Sequence, residues 1–160
     1  MPTYVEKFEC LGAQCEDTCC AGWTVRVDKK TYKAYRNAPK SSLSDRLFAA
    51  VKGLDDPKSD ADYGYIDLLP ETGECPLLDE QLCAVHKELG EYQLSNSCFS
   101  YPRNVLNSGG IVQQTLTLSC PQAARLALLA DDAFEIVERE IAVRPSAIEQ
   151  LLPRCGMSLE

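Results

Sequence analysis

Cys10-Leu-Gly-Ala-Gln-Cys15-Glu-Asp-Thr-Cys19-Cys20-Ala-Gly-Trp23 packs four sulfurs into eleven residues, and the fold has to be organised around them. A thiolate binds iron or zinc at about 2.3 Å, and a tight, glycine-containing loop lets several sulfurs converge while its backbone amides donate to them. Neighbouring Cys19 and Cys20 point in different directions, so both are not expected on one metal atom. One of them serves a different iron, a different site or only the core.

Five further cysteines lie downstream, at 75, 83, 98, 120 and 155. The second cluster is Cys75-Pro-Leu-Leu-Asp-Glu-Gln-Leu-Cys83, followed by Cys98 just before Phe99-Ser100-Tyr101-Pro102-Arg103. The two groups must meet in space if they share a metal. Cys120 falls at an expected helix N-terminus, where the dipole and free amides favour a thiolate, although a buried helix-start cysteine is the plain alternative. Cys155 stands apart from both groups and is read as a non-ligand.

The compartment bears on what these sulfurs do. Met1 to Cys10 contains Glu6 and Lys7 and lacks the apolar run of about 7–15 residues that a secretory signal needs. No stretch approaches the about 18 apolar residues of a membrane span. A cytoplasmic location off the membrane is expected, where thiols stay reduced, so a disulfide framework is the weaker explanation of the cysteines. Buried or free thiols also remain an alternative. The spacings do not form the paired C-x₂-C knuckles of zinc ribbons, which puts an iron-sulfur cluster ahead of zinc. Eight sulfurs exceed one four-ligand site, leaving two centres, or one centre plus packing cysteines, both open.

With 160 residues, 45% apolar and 25% charged, the chain is expected to form one domain over residues 1–158. Leu159-Glu160 is a dipeptide of the kind a vector leaves ahead of a tag, and it is excluded from fold reasoning. The net charge of −8 repels a phosphate backbone, so nucleic acid is not an expected partner.

Periodicity and punctuation supply the elements. Asp28 caps a helix that starts at Thr31, and Ser42 to Lys52 carries Leu43, Leu47 and Val51 at helical spacing. Leu54 to Tyr63 reads as a solvated loop, Tyr65 to Leu69 as a strand stopped by Pro70, and Leu82 to Leu89 as a helix ended by Gly90. Asn107-Ser108-Gly109-Gly110 sits between Val105-Leu106 and Ile111 to Leu118 as the turn of a β-hairpin. Ser119 is expected to cap a helix from Cys120-Pro121 to Leu129, and Ala133 to Ile141 to form another. The expected fold is mainly α with a small β-hairpin, a compact metal-stapled α+β domain.

Taken together, the strings Cys10-x₄-Cys15-Glu16-Asp17-Thr18-Cys19-Cys20-x-Gly22-Trp23, Cys75-Pro76-x-Leu78, Cys83, Leu89-Gly90-Glu91, Cys98-x-x-Tyr101-Pro102-Arg103 and Leu118-Ser119-Cys120-Pro121 resemble the flagellin lysine-N-methylase (FliB) family. That family overlaps the YkgJ-type zinc- or iron-chelating proteins with eight characteristic cysteines. The resemblance covers about residues 5–130. It implies a metal site, such as a 4Fe-4S cluster or zinc, built from Cys10, Cys15, Cys19, Cys20, Cys75, Cys83, Cys98 and Cys120. It also implies S-adenosylmethionine-dependent methylation of lysines on flagellin, or another lysine-bearing protein, by full-length members. Those members are considerably longer, so the resemblance reaches only their N-terminal, cysteine-bearing part.

The residues themselves supply little for catalysis, and catalytic and donor-binding residues stay unassigned. A radical S-adenosylmethionine enzyme needs C-x₃-C-x₂-C, and after Cys15 and Cys19 the third place is Gly22. His86, the only histidine, reads as a half-exposed helix residue rather than a ligand. Glu16, Asp17, Asp79 and Glu80 read as solvated acids ahead of a lysine-binding patch. Two functions follow: part of a methylase, or a structural or electron-carrying metal module without methylase activity of its own.

Overall fold

A computed structural model describes residues 1–108 and 111–140, and of residues 107 and 108 the backbone alone. In chain order these form α1 (Thr3–Glu6), β1 (Arg26–Val27), α2 (Lys29–Arg36), α3 (Ser42–Ala50), β2 (Val51–Gly53), β3 (Gly64–Ile66), β4 (Leu78–Asp79), β5 (Leu82–Cys83), α4 (Ala84–Leu89), α5 (Asn96–Ser100), β6 (Arg103–Ser108), β7 (Ile111–Leu116) and α6 (Pro121–Leu129). They pack as two units: Cys10–Phe99, and Met1–Glu9 with the described residues from Ser100 onward.

In the Cys10–Phe99 unit, α2 begins where Asp28 Oδ1 accepts from the Thr31 amide at 3.0 Å, as the sequence predicts. The second oxygen, Oδ2, accepts from the Asn96 amide at 3.2 Å, so one buried carboxylate also holds the start of α5. Ser41 and Ser44 form a reciprocal cap on α3, which buries Leu43, Leu47 and Ala50 along one face. Val51 and Lys52, expected inside this helix, instead belong to β2 in an antiparallel sheet ordered β1-β3-β2. β3 needs glycine at position 64: a Cβ there would stand 2.4 Å from the Lys52 carbonyl oxygen, with the Tyr32 ring covering the same spot. Val25, Val27, Tyr35, Leu47, Val51 and Leu77 are the heart of this core.

Residues 82–83, expected at the start of a helix, pair with β4 instead, and α4 starts at Ala84 and stops at Gly90, whose φ is +85°. The two-residue turn of this hairpin, Glu80-Gln81, has φ of +47° and +68°, a left-handed conformation that Asn-Gly would adopt with less strain. The strand expected over Tyr65 to Leu69 stops at Ile66, because the Asp67 amide turns to the Ala50 carbonyl and the Leu69 amide to that of Glu74.

In the other unit, the expected hairpin is present as β6 and β7, paired from Arg103↔Leu116 to Ser108↔Ile111; Gly109-Gly110 of its turn lie outside the described residues. Tyr4 of α1 anchors this unit: its hydroxyl accepts from the Leu116 amide at 3.2 Å within a core of Val5, Phe8, Leu116 and Ala123. Helix α6 is capped by Cys120, one residue beyond the expected Ser119, because Pro121 takes the first helical position. Ser119 instead bonds the hydroxyls of Tyr101 and Thr117.

Two further expectations are overturned. The helix predicted over Ala133 to Ile141 is not helical through residue 140, and Ile141 lies outside the described residues. Its backbone is held by the N-terminus, with Ile136 bridged to Pro2 and the Thr3 amide donating to the Glu135 carbonyl. The fold is also mixed rather than mainly α, with three small sheets among the described residues. Five of their seven strands are two or three residues long, too short for the period-two pattern that reveals a strand. The packing displayed is that of two hydrophobic cores, and a metal staple is not part of what the architecture shows.

Candidate functional site

The first cysteine loop is folded by its own polar groups. Trp23 Nε1 donates to the Cys19 carbonyl at 2.8 Å, closing a turn that needs Gly22 at φ +76°, and Thr18 Oγ1 accepts from the Cys20 amide. Backbone bonds then fasten this loop to the second cluster. The Gly22 amide donates to Gly73 at 3.1 Å, and the Cys75 amide to the Cys20 carbonyl at 2.6 Å. The β4–β5 hairpin sets Cys83 opposite Leu78. Cys75 is buried in the core, and Cys20, Cys83 and Cys98 pack against that same core.

The result is a nest of thiols. The Cys20 side chain is hydrogen-bonded to both Cys19 and Cys83. That bond is the main reason Cys83 is lowered to about 6, helped by the backbone amides of His86 and Val85 and opposed by burial. The same partner lowers Cys19 to about 7. Cys20, as the shared donor, is pushed strongly upward by Cys19, by Cys83 and then by burial. Burial pushes Cys98 up to about 12 and also raises Cys75. Cys98 lies within electrostatic reach of Cys83, Cys75 and Cys19. Cys10, Cys15, Cys19, Cys20, Cys75, Cys83 and Cys98 are free cysteines.

Five of the expected ligands, Cys19, Cys20, Cys75, Cys83 and Cys98, are therefore brought together. Cys10 and Cys15 flank a turn in which the Gly12 amide donates to Cys10 Sγ at 3.4 Å; Gly12 lies against Leu82, the neighbour of Cys83. Cys120 is buried in the other unit at the head of α6, and Cys155 lies outside the described residues. Among the described residues no three potential ligands stand in a ready-made metal cage. The donor chemistry nevertheless suits a thiolate-bound metal: the converging groups are sulfurs, and two are favoured as anions near neutral pH.

Arg46 supports this group without any signal in residue order to mark it. Its guanidinium donates to the carbonyls of Pro76 at 2.9 Å and Leu78 at 3.1 Å, and its charge favours the Cys75 thiolate. Ser95, fully buried, accepts from the Cys98 amide through Oγ at 3.3 Å, and its side-chain bond to the Cys98 thiol opposes the upward push of burial. His86 is exposed on α4 and contributes to Cys83 through its backbone amide and charge. Glu16, Asp17 and Glu80 are exposed, whereas Asp79 is paired with Lys87 at 3.3 Å. Arg103 lies over the Phe8 ring at 5.3 Å.

Fold and site together define a small mixed α/β protein in which one of two hydrophobic cores carries a group of free thiols. No family profile and no solved structure matches the chain. It is 34% identical over 154 residues to the flagellar biosynthetic protein FliU of Salmonella muenchen, covering 96% of this chain and 90% of that protein. It is also 34% identical over 153 residues to lysine-N-methylases of Salmonella typhimurium and Salmonella choleraesuis, covering 95% of this chain. The chain spans 38% of the length of each of those methylases. The chain belongs to the lysine-N-methylase (FliB) family.

Proposed function

We propose that this chain is the metal-binding module of a FliB-type protein, holding an iron-sulfur cluster of the 4Fe-4S kind, with zinc as the alternative. The observation that carries the reading is the meeting of Cys19, Cys20, Cys75, Cys83 and Cys98 from three separate segments of one unit. Cys10 and Cys15 belong to the same unit and extend the proposed ligand set; Cys120, the eighth cysteine of the family resemblance, is buried at the head of α6 in the other unit. A bound cluster would supply electron transfer or hold the loops in place; zinc would supply the second alone. The chain's own residues favour the Cys83 thiolate through the amides at Val85 and His86, and the Arg46 charge beside Cys75 works against the rise that burial imposes there.

The context is S-adenosylmethionine-dependent methylation of lysines, on flagellin or another lysine-bearing protein, in the cytoplasm. Support comes from the relatives' names; among the described residues no helix is long and apolar enough to cross a membrane. The alternative is a structural or electron-transfer module without methylase activity of its own, favoured by the fact that the match reaches 38% of the methylases but 90% of FliU. Calorimetry of the metal-replete chain with S-adenosylmethionine separates the two. No heat of binding is expected if donor binding resides elsewhere in the methylases, and a saturable heat would place a donor site in this chain.

A further inference from the structure

We propose that, when no metal is bound, Cys20 and Cys83 form a reversible disulfide on exposure to hydrogen peroxide, a redox switch that withdraws two sulfurs from the proposed metal site. The switch rests on that reading only for its consequence; the cross-link itself is a property of the metal-free chain.

Three observations support the pairing. Cys20 and Cys83 are already in side-chain hydrogen-bond contact and pack against one core, so little movement separates the thiols from a bond. They come from segments far apart in sequence, held in place by the bond from the Cys75 amide to the Cys20 carbonyl and by the Leu78↔Cys83 pairing. Cys19, the other partner of Cys20, is a poor competitor. Adjacent Cα atoms across a trans peptide stand about 3.8 Å apart, short of the about 4.4–6.8 Å that a disulfide spans.

The chemistry balances. Peroxide transfers one oxygen to the Cys83 sulfur, forming S–O, breaking O–O and releasing water, with the thiol proton retained in the sulfenic acid. The Cys20 sulfur attacks that sulfur, S–S forms, S–O breaks, and the leaving hydroxide takes up the Cys20 proton as a second water. The two sulfurs together lose two electrons, and one peroxide gains them. Dithiothreitol reverses the step.

The test treats the reduced, chelator-stripped full chain with one equivalent of hydrogen peroxide, blocks remaining thiols with N-ethylmaleimide and maps linked peptides by fragmentation. A Cys20–Cys83 link that dithiothreitol removes is expected. Stable sulfinic acid at Cys83 without a link, or linkage of Cys20 to Cys19, would overturn the proposal. Cys10→Ser should leave the link in place; its disappearance there would also count against the pairing. A second arm measures zinc uptake before and after oxidation, where a loss of at least tenfold, restored by dithiothreitol, is expected. Equal, strong uptake by both forms would overturn the switch. A mapped link with no zinc or iron uptake by either form would overturn the metal reading and leave the disulfide standing.

Discussion

The two units bury their cores by different means. In Cys10–Phe99, sulfur is part of the core: Cys75 is buried among Leu47, Val51 and Leu77, and three more cysteines pack on its edge. In the other unit the core is aromatic and aliphatic, centred on Tyr4 and Leu116, with Cys120 its one described cysteine. A thiol in the first unit is thus bound up with the packing that holds it, so its chemistry and the stability of the unit should change together. The Tyr4 hydroxyl brings a polar group into that second core, where it accepts from the Leu116 amide.

The sharpest way to break this comparison is at Leu77, 1% exposed and two residues from Cys75. Leu77→Ala should cost about 2–5 kcal/mol in urea unfolding, and should also speed maleimide labelling of Cys75 and Cys98. Lost stability with unchanged labelling would separate the core from the thiols. Tyr4→Phe is the counterpart in the other unit. It leaves the Leu116 amide without its partner and should cost about 1–3 kcal/mol in the same assay.

A third expectation concerns pH. Folding lowers Cys83 from 9.0 to about 6, so its contribution to stability is full above about 9 and disappears as pH falls toward 6. Cys20 is raised, and its contribution has the opposite sign, holding below about 9 and fading above. Thermal melts of the metal-free, reduced chain should therefore rise in midpoint from pH 6 to 9 and fall beyond. Cys20→Ala should flatten both limbs. The smallest effect is expected at the strained turn, where Glu80→Asn with Gln81→Gly should stabilise by about 1 kcal/mol, read as a higher urea midpoint.

The same contrast governs what could be read from residue order. The β6–β7 hairpin and α6 were legible because a glycine-rich turn and an N-terminal proline punctuate runs long enough to show their period. β1, β2 and β4 were not, since a strand of two or three residues is defined by its partner and carries no pattern of its own. Ala133 to Glu140 had helical periodicity but is claimed by backbone pairing with the N-terminus, a long-range contact that no local pattern encodes. At the site, the cysteines announced themselves by density and spacing. Their grouping through the Cys75–Cys20 backbone bond did not, and neither did Arg46, which lies some thirty residues from the carbonyls it holds.

The central claim is that the sulfurs of the Cys10–Phe99 unit close around a metal. Anaerobic purification of the chain, followed by a visible spectrum with iron, sulfide and zinc analysis, tests it most directly. The account predicts a brown sample with a broad visible band and matched iron and sulfide, or, for the alternative occupant, a colourless one with stoichiometric zinc. A fully folded chain carrying neither metal, and taking up neither when offered, would contradict it.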